Sequence, residues 1–119
     1  MTMERDTGKL FANLPDRPLA DEIFDTLLTL PGVRIERIVS TGQASPPGFW
    51  YDQPDAEWVV LLRGSASLRF ADEAAPRELA PGDWLHIAPH QRHRVERTSV
   101  EPPAVWLTLH VAMAPYHQG

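Results

Sequence analysis

From Val33 onward the chain alternates. The segment "VRIERIVS" places Val33, Ile35 and Val39 on one face, with Arg37 among them, and "SASLRF" alternates through Ala66, Leu68 and Phe70. "HRVERT" sets His93 and Val95 together, and "VWLTLHVA" runs through Val105, Leu107, Leu109 and Val111. A period of two marks strands with one covered face. "WVVLL" is apolar throughout, as in a strand covered on both sides. Turn residues at Arg63-Gly64, in "ADEAAP" and in "PGD" at 81–83 separate these runs. Short strands between Gly and Pro turns predict an all-β sandwich or barrel.

Before Pro31 the pattern supports two readings. Ile23, Phe24, Leu27 and Leu28 have helical spacing, whereas Phe24, Thr26, Leu28 and Leu30 fit a strand. Segment 21–30 stays open between them, and Pro31-Gly32 ends it either way. Residues 1–18 are polar and proline-punctuated except for "KLFANLP", which predicts an N-terminal arm laying one apolar stretch on the body. The barrel core is expected over 33–112. No repeat or linker divides residues 1–119, so one domain is expected.

Composition narrows the picture. A chain of 119 residues can build one core. Its 12 prolines are about twice the usual share and favour short elements joined by turns. The net charge of −5 supplies no basic face for nucleic acid and disfavours anionic membranes. "MTMERDTGKL" lacks the apolar region of a signal peptide, and no apolar run is long enough to span a bilayer. The expectation is a soluble cytoplasmic protein. Without cysteine there is no disulfide or thiolate site. Ser40, Ser45, Ser65, Ser67 and Ser99 lack a nucleophile-elbow frame, and no phosphate loop is present.

Candidate chemistry centres on "GFWYDQPDAEWVVLLRG", which sets Asp52, Gln53, Asp55 and Glu57 against the most apolar run of the chain. A turn delivering polar groups into a barrel mouth would explain this. Glu57 would then share an inward face with Val59 and Leu61. Glu57, six residues and Gly64 resemble the second half of the first cupin motif, G-x5-H-x-H-x(3,4)-E-x6-G. "PGDWLHIAPHQRH" resembles the second motif, with His93 eleven positions after Gly82. Over roughly 33–112 the chain resembles small single-domain bacterial cupins. The resemblance implies a double-stranded β-helix, or jelly roll, with a pocket in one end. It also implies a homodimer, formed through the N-terminal arm or a sheet edge, with Trp84 or Trp106 as uncovered surface.

Where the family carries His-x-His, this chain has Tyr51-Asp52-Gln53, or Trp50 and Asp52 in the longer spacing. Pro89 is displaced by one place, His90 replaces the turn glycine, and Arg97 replaces the closing asparagine. Carried over by position, Gln53, Glu57 and His93 would hold a divalent metal such as Mn, Fe or Zn, with Asp52 the alternative to Gln53. Tyr51 is a weaker ligand candidate and a candidate catalytic proton donor. The other reading is that Gln53, Glu57 and His93 form a hydrogen-bonded network in a metal-free pocket.

Four further residues are pocket candidates. Arg37 either faces inward as a carboxylate clamp or a partner for Glu57, or is turned outward by a β-bulge. His86 alternates with Trp84 opposite Leu85 and Ile87, and either pair could line the pocket. His90 points inward or to solvent, and His110 belongs to the pocket or to a subunit contact. His117 is expected in a solvated tail. The functional expectation is a cupin binding a metal and a small polar or anionic metabolite, with dioxygenase, isomerase and decarboxylase chemistry unranked. The alternative is a non-catalytic binding or sensor module without metal.

Overall fold

The computed structural model describes residues 7–113; the first six residues of the arm and His117 lie outside the described residues. No helix occurs among the described residues. Eight strands follow in order: β1 (Ile23–Leu30), β2 (Val33–Ser40), β3 (Ala56–Arg63), β4 (Ala66–Phe70), β5 (Arg77–Leu79), β6 (Trp84–Ile87), β7 (His93–Thr98) and β8 (Ala104–Val111). They form a five-stranded sheet, β1-β2-β8-β3-β6, and a three-stranded sheet, β5-β4-β7. All pairings are antiparallel. The open segment at 21–30 is strand from Ile23 to Leu30. Its register slips between Thr26 and Leu28, leaving Leu27 as an extra residue, which is why the sequence also fitted a helical period.

The two sheets close over Val59, Leu61, Leu68, Phe70, Leu79, Leu85, Ile87 and Trp106. Register explains where this core stops. Ile38, Trp106 and Leu61 stand in one row across β2, β8 and β3, and Glu36, Thr108 and Val59 stand in the next. Arg34, His110 and Glu57 form a third row. The interior therefore grades from apolar at one end to charged at the other. Trp106, expected as uncovered surface, is buried at the apolar end with 4% exposure. Trp84 does face out, at 60% exposure and 6.0 Å from Trp58.

Arg37 corrects the reading that placed it with an inward aliphatic set. The β2–β8 register is unbroken, and Arg34, Glu36 and Ile38 face the cavity. Val33, Ile35, Arg37 and Val39 therefore face out, without a bulge in that pairing. Arg37 is nevertheless buried, because the N-terminal arm crosses it. Its Nη1 donates to the carbonyls of Leu10 (2.9 Å) and Ala12 (2.7 Å), and its Nε and Nη2 donate to Asp25 at 3.0 and 2.6 Å. The guanidinium fixes the arm, and beyond it Phe11 packs on Arg63. Arg37→Ala should cost roughly 2–3 kcal/mol, since four charged hydrogen bonds of a buried guanidinium are lost. Denaturant unfolding should show the loss, and hydrogen exchange should rise selectively over residues 9–13. Unchanged exchange there would mean that the arm is held by something else.

Candidate functional site

The charged end of the interior opens into a cavity of about 240 Å³. The five-stranded sheet contributes Arg34, Glu36, Glu57, Thr108 and His110, while β7 contributes His93 and Val95 from the opposite sheet. Tyr51 and Gln53 complete the wall from the connection before β3.

A single backbone bridge orients that connection. Tyr51 N donates to His93 O at 2.7 Å, and His93 N donates back to Tyr51 O at 3.2 Å. Alternation then turns Tyr51 and Gln53 inward and Trp50 and Asp52 outward. The Tyr51 ring stacks on His93 with centroids 5.3 Å apart, and Phe49 meets it edge-on at 4.9 Å. Trp50 instead packs beneath the guanidinium groups of Arg69, Arg92 and Arg94. Asp52, the alternative ligand, lies outside the cavity, where it accepts from His90 Nδ1 at 2.7 Å.

The other candidates separate clearly. His110 lines the cavity; His86, His90 and Arg37 do not. On β6 the inward pair is Leu85 and Ile87, which pair with Val59 and Glu57, so Trp84 and His86 face out. His90 occupies the left-handed region at φ 60, donates its backbone N–H to Gln53 O at 2.6 Å and leaves its ring exposed.

Electrostatics differs sharply around the wall. His93 Nδ1 donates to the Gln91 carbonyl at 2.9 Å, which leaves the Nε2 lone pair free. Burial lowers its pKa, with the Gln91 bond opposing. Burial also lowers the pKa of His110, followed by Arg34, against the raising effects of Glu36 and Asp55. His110 Nε2 lies 3.2 Å from Glu36 Oε1, and Arg34 Nε lies 3.5 Å from the same oxygen. Burial, then Glu36, pushes Glu57 up to about 7, with Arg34 opposing. Burial raises the Tyr51 pKa, with Glu22 and Glu57 adding to the effect. Among the described residues Glu57 accepts no hydrogen bond, and Gln53 Oε1 is buried without a partner.

Arg34, Glu36, Glu22 and Thr108 also line the cavity, and motif reasoning passed over them. A signal for three of them was present. Arg34-x-Glu36-x-Ile38 and Glu57-x-Val59-x-Leu61 share a polar-to-apolar gradient, which Trp106-x-Thr108-x-His110 runs in reverse. Those are the three rows across β2, β3 and β8.

The model of the cupin domain family matches residues 37–110, which include Tyr51, Gln53, Glu57, His93 and His110 of the cavity wall but not Arg34 or Glu36. The chain belongs to the cupin family. Its structure is similar to that of a Ralstonia eutropha JMP134 protein provisionally assigned as a mannose-6-phosphate isomerase, with 50% identity and a TM-score of 0.88. That match covers 92% of this chain and 100% of the other. A cupin superfamily protein of Desulfitobacterium hafniense DCB-2 shares the fold at 16% identity and TM-score 0.72, covering 93% and 95% of the two chains. A Methanocaldococcus jannaschii cupin with a double-stranded β-helix fold does so at 14% identity and TM-score 0.65, over 94% and 93%. No curated protein matches the sequence.

Among the described residues of this cupin, no three His, Cys, Asp or Glu side chains group as a metal site. A metal held by Glu57 and His93 would need a third donor of another type, such as an amide oxygen. Gln53 Oε1 fits that need, because it is a buried acceptor with no donor to meet it.

Proposed function

We propose that this cupin binds a divalent cation in its barrel mouth through Gln53 Oε1, Glu57 and His93 Nε2, with a small polar metabolite beside it. The orphaned Gln53 oxygen carries the reading. A buried acceptor without a donor costs about 1–3 kcal/mol, and burial pushes the Glu57 carboxyl up to about 7, a cost that a bound cation would relieve. Gln53, Glu57 and His93 together present acceptors to one cavity, and a cation complements all three. Two oxygens and one imidazole suit Mn, Fe or Zn. The Gln91 carbonyl holds the His93 ring in the tautomer that such a role requires.

When bound, the cation would supply Lewis-acid polarisation of a ligand carbonyl or carboxylate. The chain's own groups would position the ligand and move protons. Tyr51 offers a phenol hydroxyl on the cavity wall, and Glu36 fixes the orientation of His110. The apolar floor of Ile38, Val59, Leu68 and Trp106 would take the carbon side of the ligand. A cavity of about 240 Å³ suits a metabolite rather than a drug-sized molecule. The Ralstonia relative makes isomerisation of mannose 6-phosphate one reaction to assay, against which small monocarboxylates are the alternative ligand class.

The test is to strip the untagged protein with chelator, reload it separately with Mn, Fe and Zn, and measure bound metal by elemental analysis after gel filtration. About one ion per chain is expected with at least one metal. No retained ion after reloading would replace this reading with a metal-free binding or sensor cavity.

A further inference from the structure

Among the described residues the cavity lining contains one guanidinium, which the cation site leaves unused. Arg34 stands opposite His110 on β8, and His110 stands opposite Glu57 on β3. Neighbouring strands lie about 4.8 Å apart, so Arg34 and Glu57 are separated by about 10 Å of sheet. One small molecule can therefore touch both. Glu36 Oε1 contacts Arg34 through Nε and His110 through Nε2. Among the described residues the two terminal nitrogens of Arg34 have no partner, and its side chain is 45% exposed. The guanidinium is thus steadied from behind while its planar fork stays available.

Among the described residues the lining contains three carboxylates, Glu22, Glu36 and Glu57, against this one guanidinium. A bound divalent ion brings that set to neutrality. A single negative charge is then tolerated, whereas a phosphate dianion would meet Glu36 and Glu22 with only one fork to hold it. Carboxylate geometry matches an arginine fork bidentately.

We propose that Arg34 is the specificity residue of the site and clamps the carboxylate of a small hydroxy or oxo monoacid. The acid's neighbouring oxygen then faces Gln53, Glu57 and His93. This inference rests on the cation reading above and selects a short monocarboxylate over a sugar phosphate.

The test titrates Mn-loaded protein with glycolate, lactate, pyruvate and inorganic phosphate by calorimetry, with metal content measured on the same samples. At least one carboxylate should bind, and more tightly than phosphate. Arg34→Ala should weaken it by about tenfold to a hundredfold, as expected for charged hydrogen bonds, with metal content unchanged. Arg34→Lys should recover only part of the loss, because an ammonium lacks the fork. Phosphate binding more tightly than every carboxylate, or Arg34→Ala binding as the wild type does, overturns the clamp. So does loss of metal in Arg34→Ala, which would place the arginine's effect on the ion. Wild type without metal that still binds a carboxylate through Arg34 overturns the cation reading and upholds the clamp. Wild type that binds neither overturns both.

Discussion

Glu57→Gln should abolish metal retention and, in the same protein stripped of metal, increase stability at alkaline pH. The sign follows from the raised pKa. An acid whose pKa rises from 4.5 to about 7 on folding holds its proton more tightly in the native state. Native stability is therefore highest below the unfolded value, falls as pH rises between the two, and levels off above about 7. A shift of this size corresponds to about 3 kcal/mol at full effect. The neutral amide removes that cost. In chelator, Glu57→Gln should gain roughly 1–3 kcal/mol over wild type at pH 8 and almost nothing at pH 4.5, by urea unfolding. With saturating metal at pH 8 the order should reverse, since only the wild type gains binding free energy. His93→Ala should also lose the ion, Gln53→Ala should only weaken it, and Asp55→Ala should leave it unchanged. Full retention by both Glu57→Gln and His93→Ala would remove the basis of the site, as would a Gln variant less stable than wild type in chelator at pH 8.

Gly64→Ala should be the most damaging single-methyl change in the β3–β4 turn. Gly64 sits at φ +81, where a Cβ would lie 2.5 Å from Ser99 Oγ, 2.7 Å from Pro103 O and 2.9 Å from Ala104 Cα. Two of these atoms are backbone. The third is committed, because Ser99 Oγ accepts from Ser65 N at 3.0 Å and donates to Pro102 O at 2.7 Å. The left-handed conformation alone costs an alanine about 1–2 kcal/mol, and forced overlap adds roughly 1–3. The total is a large share of the ~5–15 kcal/mol that holds a domain together. Gly48→Ala is the matched control, with φ +78 and nothing within 4 Å of the added carbon. It should lose only about 1–2 kcal/mol. Equal losses for the two variants in chemical denaturation would show that the crowding at Gly64 is relieved elsewhere.

Much of this architecture was legible in the sequence. The period of two identified a β-protein, Gly64 and Gly82 marked the turns, and Glu57 was read as inward-facing beside Val59 and Leu61. The phase of β2 and β8 was harder. Both faces of the large sheet are covered in part, one by the small sheet and the other by the arm. Val39 and Val105, on the arm side, are 1% and 0% exposed. Hydrophobicity then stops distinguishing inside from outside. At the mouth it is inverted, because the inward positions are Arg34, Glu36 and His110. Only register with Glu57, whose direction was already known, resolves the phase. The histidines follow the same logic. His86 and His110 both sit on alternating strands, and nothing local distinguishes them. Pairing to Trp58 on the outer face of β3 excludes one, and pairing to Glu57 admits the other.

The position of β8 also has a consequence for synthesis on the ribosome. Ala104–Val111 lies between β2 and β3 in the five-stranded sheet, and neither of those strands pairs with the other. While the chain is emerging, β1 and β2 can form a hairpin and β4 and β5 another, but the sheet that carries Arg34 and Glu57 has no centre. Long-range pairing of this kind is slow and leaves strand edges open. Until β8 docks, β2 and β3 each present an unpaired edge to neighbouring chains. Docking of β8 therefore removes two open edges in one step and joins β1-β2 to β3-β6.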